Sequence, residues 1–351
     1  MKRFHFLTAL AALAVTLPSL AGNPRDDEPY QTKTFSGNIS AVRGETAGGS
    51  LIVEGGHSGG VKVEMFVRLN NWNGANRLDK AEIEERLREY DVVIRQEGGT
   101  VVATAKPREG LNRATDRWKR SLSIGFVFHT PRNVSTDLRT SGGSIRLSRL
   151  NGRQSFRTSG GSISLNDVQG DVDGRTSGGS INLANCRDRI TLRTSGGSIE
   201  AVGSAGNLDL ETSGGSIRLR DLSGTIRAET SGGSVQGDKI DGELITATSG
   251  GSVRLFDMAG SVDARTSAGS MEVEMAQLGS YLKLANSGGS VRVRMPMNKG
   301  MTLDVRGNRV RMPLTNFDGE SGDDRIRGRI NGGGIPVTIS SSSGTVYINQ
   351  N

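Results

Sequence analysis

From Thr140 onward, apolar and polar residues alternate in blocks that return every 18 positions. Thr140, Thr158, Thr176, Thr194, Thr212, Thr230, Thr248 and Thr266 open successive blocks, and the first seven read Thr-Ser-Gly-Gly-Ser followed by Ile or Val. The eighth reads Thr266-Ser-Ala-Gly-Ser-Met271; a ninth, Asn286-Ser-Gly-Gly-Ser-Val291, follows after 20 residues, and Thr46-Ala-Gly-Gly-Ser-Leu51 is an early cousin. Counting each Thr as position one, positions six and eight are mostly aliphatic (Ile163 and Leu165, Ile181 and Leu183) with a polar residue between them. This is the pattern of a half-buried strand. Positions fourteen to eighteen predict a second strand, with Val172, Ile190, Leu208, Ile226, Leu244 and Val262 at position fifteen. Position seventeen varies in size, Phe156 standing one block before Gly174, so that bulk in one block can fill a gap in the next. The Gly-Gly pair and a further Gly at position thirteen (Gly152, Gly170, Gly224, Gly242, Gly260) supply two bends.

One such block cannot bury its own apolar residues, so the blocks must stack. The predicted fold is all-β, a single-stranded parallel β-solenoid of 18-residue coils with its threonines turned inward to bond to the bends. Exposed ends would leave unpaired strand edges. The segment 22–139 is therefore read as an N-terminal β-rich cap with first coils, containing one short helix over 79–90, where Asp79 and Glu82 form a capping box. The regular repeats span 140–291. Residues 292–351 form irregular coils and a cap, in which Ile335–Ile339 and Thr345–Ile348 read as terminal coils and 307–334 as a looped insertion.

Composition narrows the functional classes. Glycine is abundant at 50 of 351 residues, but there is no Gly-X-Y period, and a single cysteine excludes an intramolecular disulfide framework. Lys2 and Arg3, then a mostly apolar run from Phe4 to Leu17 and small residues at Ser19 and Ala21, follow the plan of a cleavable secretory signal over residues 1–21. Periplasm, secretion or the cell surface is the expected location.

The serial Thr-Ser-Gly-Gly-Ser-Ile copies, the lead-in Phe126-Val-Phe-His-Thr-Pro131 and the ending Gly332-Gly-Gly-Ile-Pro-Val-Thr-Ile-Ser340 with Gly344-Thr-Val-Tyr-Ile348 resemble the bacterial "putative adhesin" family of β-strand-repeat proteins. That resemblance implies a β-solenoid of the cell envelope or surface, and it carries over no catalytic residue.

Catalytic chemistry finds little material. The histidines are His5, His57 and His129, none in the regular repeats, which leaves no histidine triad or zinc cluster there. The acidic groups Asp167, Asp171, Asp173 and Asp318, Glu320, Asp323, Asp324 read as solvated surface and polar loop. Cys186 takes an inward eleventh position, where Leu150 and Val168 stand in earlier blocks. No cofactor, metal site or enzymatic activity is expected.

The formal charge of +7 favours an anionic partner. Arg139, Arg157, Arg175 and Arg193 share the outward eighteenth position of four successive blocks, and a basic stretch from Lys106 to Arg120 includes Arg117, Trp118, Lys119 and Arg120. These nine residues are the candidate binding set, and the expected partner is an anionic envelope polymer or a surface protein. Nucleic acid is not expected, given export and scarce aromatics. A self-assembling rod and a glycan-acting β-helix enzyme are the alternative functions.

Overall fold

A computed structural model describes residues 28–69, 80–108 and 121–350. Among the described residues the fold is all-β, with 26 strands in one hydrogen-bonded network and one helix. Through the repeats the strands run parallel and pair with the residue 18 further on. Ile163 lies beside Ile181, Ile181 beside Ile199, Ile199 beside Ile217 and Ile217 beside Val235. The second strand keeps the same offset, Val172 beside Ile190 and Ile190 beside Leu208. Each block is thus one rung, set about 4.8 Å from the next.

The core runs up the centre of these rungs. Ile163, Leu165, Val168 and Val172 are buried, as are their counterparts in the rungs above and below. A side chain begun at Gly174 would lie 2.1 Å from the Phe156 ring, so the ring occupies the space that Gly174 leaves. Gln154, a buried polar residue in an apolar column, receives the Thr136 hydroxyl proton at 2.8 Å and donates to the Val134 carbonyl at 2.9 Å. Both ends of the amide are therefore used, as burial requires.

The inward threonines join neighbouring rungs. The Thr194 hydroxyl donates to the Gly179 carbonyl of the preceding rung (2.8 Å) and accepts the Gly197 amide of its own (3.3 Å), and the same pair of bonds recurs at Thr158, Thr176, Thr212 and Thr230. Thr194→Val keeps the shape and removes both bonds at a buried site. It is expected to cost about 1–3 kcal/mol, read as a lower denaturation midpoint with an unchanged slope. No change in midpoint would mean that these bonds are replaced without loss.

The path around a rung has three bends. Besides the Gly-Gly turn and position thirteen, position ten is left-handed: Arg149, Asp167, Asn185, Asp221, Lys239 and Asp257 all have φ between 52° and 55°. The two extra residues of the rung that begins at Thr266 are taken up by register shifts between Leu255 and Val262 against the strand Met271–Asn286.

The ends depart from the expected winding. Ala41–Thr46 and Leu51–Gly55 pair in parallel with the first repeat on one side and with Thr100–Pro107 and Leu122–Thr130 on the other. Antiparallel strands then cover this outer rung: Tyr90–Glu97 on Thr100–Pro107, and Val61–Leu69 on Leu122–Thr130. The helix spans Lys80–Leu87, and Tyr90 opens a strand, with its hydroxyl accepting the Leu122 amide at 2.8 Å. Asp79 lies outside the described residues. At the far end Ile335–Ser341 and Thr345–Gln350 are not terminal. They sit between the rung of Val291–Met295 and an outer rung formed by Met301–Arg306 and Arg309–Arg311. The stretch read as a loop instead holds strands Phe317–Ser321 and Arg325–Ile330, an antiparallel pair that covers Met301–Arg306.

Candidate functional site: an arginine column and its groove

Position eighteen points outward because it flanks the inward Thr, and the rung register then stacks its occupants. Arg139 lies beside Arg157, Arg157 beside Arg175, and Arg175 beside Arg193. Glu45, one rung earlier, lies beside Arg139 and holds Lys106 at 2.8 Å. The structure thus brings Lys106 to the head of the column. Arg117, Trp118, Lys119 and Arg120 lie outside the described residues.

Neighbouring carboxylates relieve part of the repulsion within the column. Arg139 faces Asp137 at 3.4 Å, Arg175 faces Asp173 at 3.5 Å, and Arg193 contacts Asp209 and Glu211, each at 3.2 Å. Arg157 makes no such pair among the described residues, although like charges flank it on both sides. The column remains exposed, Arg139 with 67% of its side chain accessible. Such pairs contribute little to stability and leave guanidinium donors free for a ligand.

A groove of about 310 Å³ opens at the head of the column, lined by Arg43, Arg139, Arg153, Asp137 and Ser155. Arg43 and Arg153 are additions to the residues chosen from sequence. Arg43 belongs to a rung that precedes the regular period and joins it only through parallel pairing with Ser135–Thr140. The position of Arg153, two residues before column-facing Ser155, was available as a signal from the repeat itself.

The other residues considered from sequence have structural surroundings. His129 bonds to Glu64 at 2.9 Å and stands 3.7 Å from Glu54. Burial pushes the Glu64 carboxyl upward, but hydrogen bonds from Lys62 and His129 outweigh it and hold the group below its ordinary value. Asp167 bonds to Arg132, and Asp173 belongs to the arginine column. No group of three or more His, Cys, Asp or Glu among the described residues is arranged to hold a metal ion. Cys186 is buried in the core, and burial pushes its thiol up to about 11. A thiol reagent should therefore label the folded protein far more slowly than the unfolded one, with the rate following denaturant-induced opening. Rapid labelling without denaturant would contradict the inward placement.

The fold and its exposed ladders define an all-β repeat protein with regularly stacked outward side chains. The chain belongs to the Toastrack DUF4097 family, whose match covers residues 135–349. No curated protein matches it. Similar solved structures include a "putative cell adhesion protein" from Clostridium sporogenes, at 11% identity over 92% of this chain and 100% of the other, with TM-score 0.21. Another is a "putative lipid binding protein" from Parabacteroides distasonis, at 12% identity over 92% of this chain and 97% of the other, with TM-score 0.30. Among the described residues no helix is long and apolar enough to cross a membrane.

Proposed function

We propose that this protein is an exported, non-enzymatic β-solenoid whose coil is the 18-residue unit, and that it serves as a binding or scaffolding surface for an anionic polymer of the bacterial envelope. The signal-like residues 1–21 support export. The observation that carries the reading is the uninterrupted stack of Arg139, Arg157, Arg175 and Arg193 on adjacent rungs, with a groove at its head. Guanidinium groups repeated at the strand spacing suit a chain of phosphates or carboxylates, because each can donate a forked pair of hydrogen bonds. Lys106 stands at the head of the column through its ion pair with Glu45, and the segment with Arg117, Trp118, Lys119 and Arg120 follows it in sequence.

The alternative of a rod growing end to end has less support, because antiparallel strands cover the outer rung at each end. Binding of purified lipopolysaccharide or another envelope polyanion tests the reading. The double variant Arg157→Glu/Arg175→Glu is expected to weaken binding by roughly 100-fold, and wild-type affinity should fall as salt rises. Binding that is unchanged in the variant would remove the column from the function.

A further inference from the structure

A second groove lies on a different face of the rungs, along the outward positions of the first strand. It measures about 400 Å³, and its lining includes Arg218, Arg220, Arg254, Phe256, Glu200 and Asp238. The register fixes the arrangement. Arg218, Gln236 and Arg254 occupy one column on three successive rungs, and Arg220, Asp238 and Phe256 occupy the neighbouring one. Arg218 and Arg254 therefore stand about 10 Å apart along the stack.

Two features distinguish this groove from ordinary solvated surface. Phe256 is 36% exposed, one of two large apolar side chains so exposed among the described residues, at a position where the two preceding rungs carry Asp238 and Arg220. The three arginines are exposed and form no ion pair among the described residues, whereas Arg294 further along the same face pairs with Glu274 at 3.2 Å. A partly exposed aromatic ring beside unpaired guanidinium groups is the chemistry of a site for a ring with an apolar face and an acidic substituent. Asp238 and Glu200 add acceptors for hydroxyl groups, and their charge opposes a dense polyanion or an anionic bilayer.

We propose that this groove binds a short run of an acidic polysaccharide. One sugar ring stacks on Phe256, carboxylates are held by Arg218, Arg220 and Arg254, and ring hydroxyls donate to Asp238 and Glu200. The site is separate from the arginine column and does not depend on that column binding anything.

Calorimetric titration of the full protein with a short oligogalacturonate, a neutral maltooligosaccharide of equal length and phosphatidylglycerol vesicles tests this. The acidic sugar is expected to bind, and the neutral one at least about tenfold more weakly. Arg218→Gln/Arg254→Gln and Phe256→Ala should each weaken oligogalacturonate binding by roughly tenfold or more. Since the three side chains are exposed, circular dichroism of the variants should match that of the parent. Arg157→Glu/Arg175→Glu should bind this sugar as the parent does, which separates failure here from failure of the column. The proposal is overturned by no binding of the acidic sugar, by equal binding in the groove variants, by loss in the column variant, or by vesicles binding in the sugar's place.

Discussion

Gly197→Ala is expected to destabilise the stack by about 3 kcal/mol or more, whereas Gly196→Ala, one residue earlier in the same turn, should leave stability within about 1 kcal/mol of the parent. A methyl group on Gly197 would lie 2.1 Å from the Gly179 carbonyl oxygen and 2.4 Å from its carbon. Both are backbone atoms of the preceding rung, whose own position is fixed by the rung before it. Relief would have to spread along the stack, because Gly161, Gly179, Gly215 and Gly233 make the same approach at 2.0–2.1 Å. On Gly196 the nearest atom would be 3.5 Å away, an ordinary contact. The chain itself uses this tolerance, since Ala268 takes the equivalent place in the eighth block while Gly269 keeps the next. Urea unfolding of the two variants, with hydrogen exchange of amides in the adjoining rungs, measures the difference. Equal effects would show that the rungs do not meet through this glycine.

The contrast between these two glycines also shows how much was legible beforehand. The repeat set both in one turn, but composition could not separate the glycine that faces the preceding rung from the one that faces solvent. The inward threonines and the pairing of Phe156 with Gly174 could be read, because parity and a fixed period place them without long-range information. The left-handed bend at position ten was missed because its occupants, from Arg149 to Asp257, share no single residue type. The recurrence of Asp and Asn there was the available signal, since their short polar side chains tolerate that conformation better than most. The arginine column was legible for the same reason as the threonines. Arg43 was not, because only tertiary pairing across some 90 residues sets it beside Asp137. Phe256 could have been found by reading the outward columns for an apolar residue where charge is the rule.

Removing residues 335–351 should cost far more than loss of a terminal strand pair, because the strands Ile335–Ser341 and Thr345–Gln350 are enclosed on both sides. Leu282 and Leu303 flank Val337 in parallel register, and Val291 and Val310 flank Val346. Val337, Ile339, Val346 and Ile348 are fully buried, which at about 1.5–3 kcal/mol each places roughly 6–12 kcal/mol of burial in this segment. Without it, the outer rung of Met301–Arg306 and Arg309–Arg311 has no partner to stack on, and its antiparallel cover loses its base. The rung containing Val291–Met295 would then present an open parallel edge. The truncated protein is expected to lose exchange protection over 297–330 and to self-associate through the bare edge, as size-exclusion chromatography would register. Deleting Gln31–Phe35, an exposed strand that among the described residues pairs only with Val61–Leu69, should do neither. A monomeric truncation with protection intact over 297–330 would show that the outer rung can rest directly on the rung beneath. The end would then be closed by its antiparallel strands alone, and the late-arriving segment would be a filler. If protection is lost, closure of this end depends on residues 335–350, which join the outer rung to the rung beneath it.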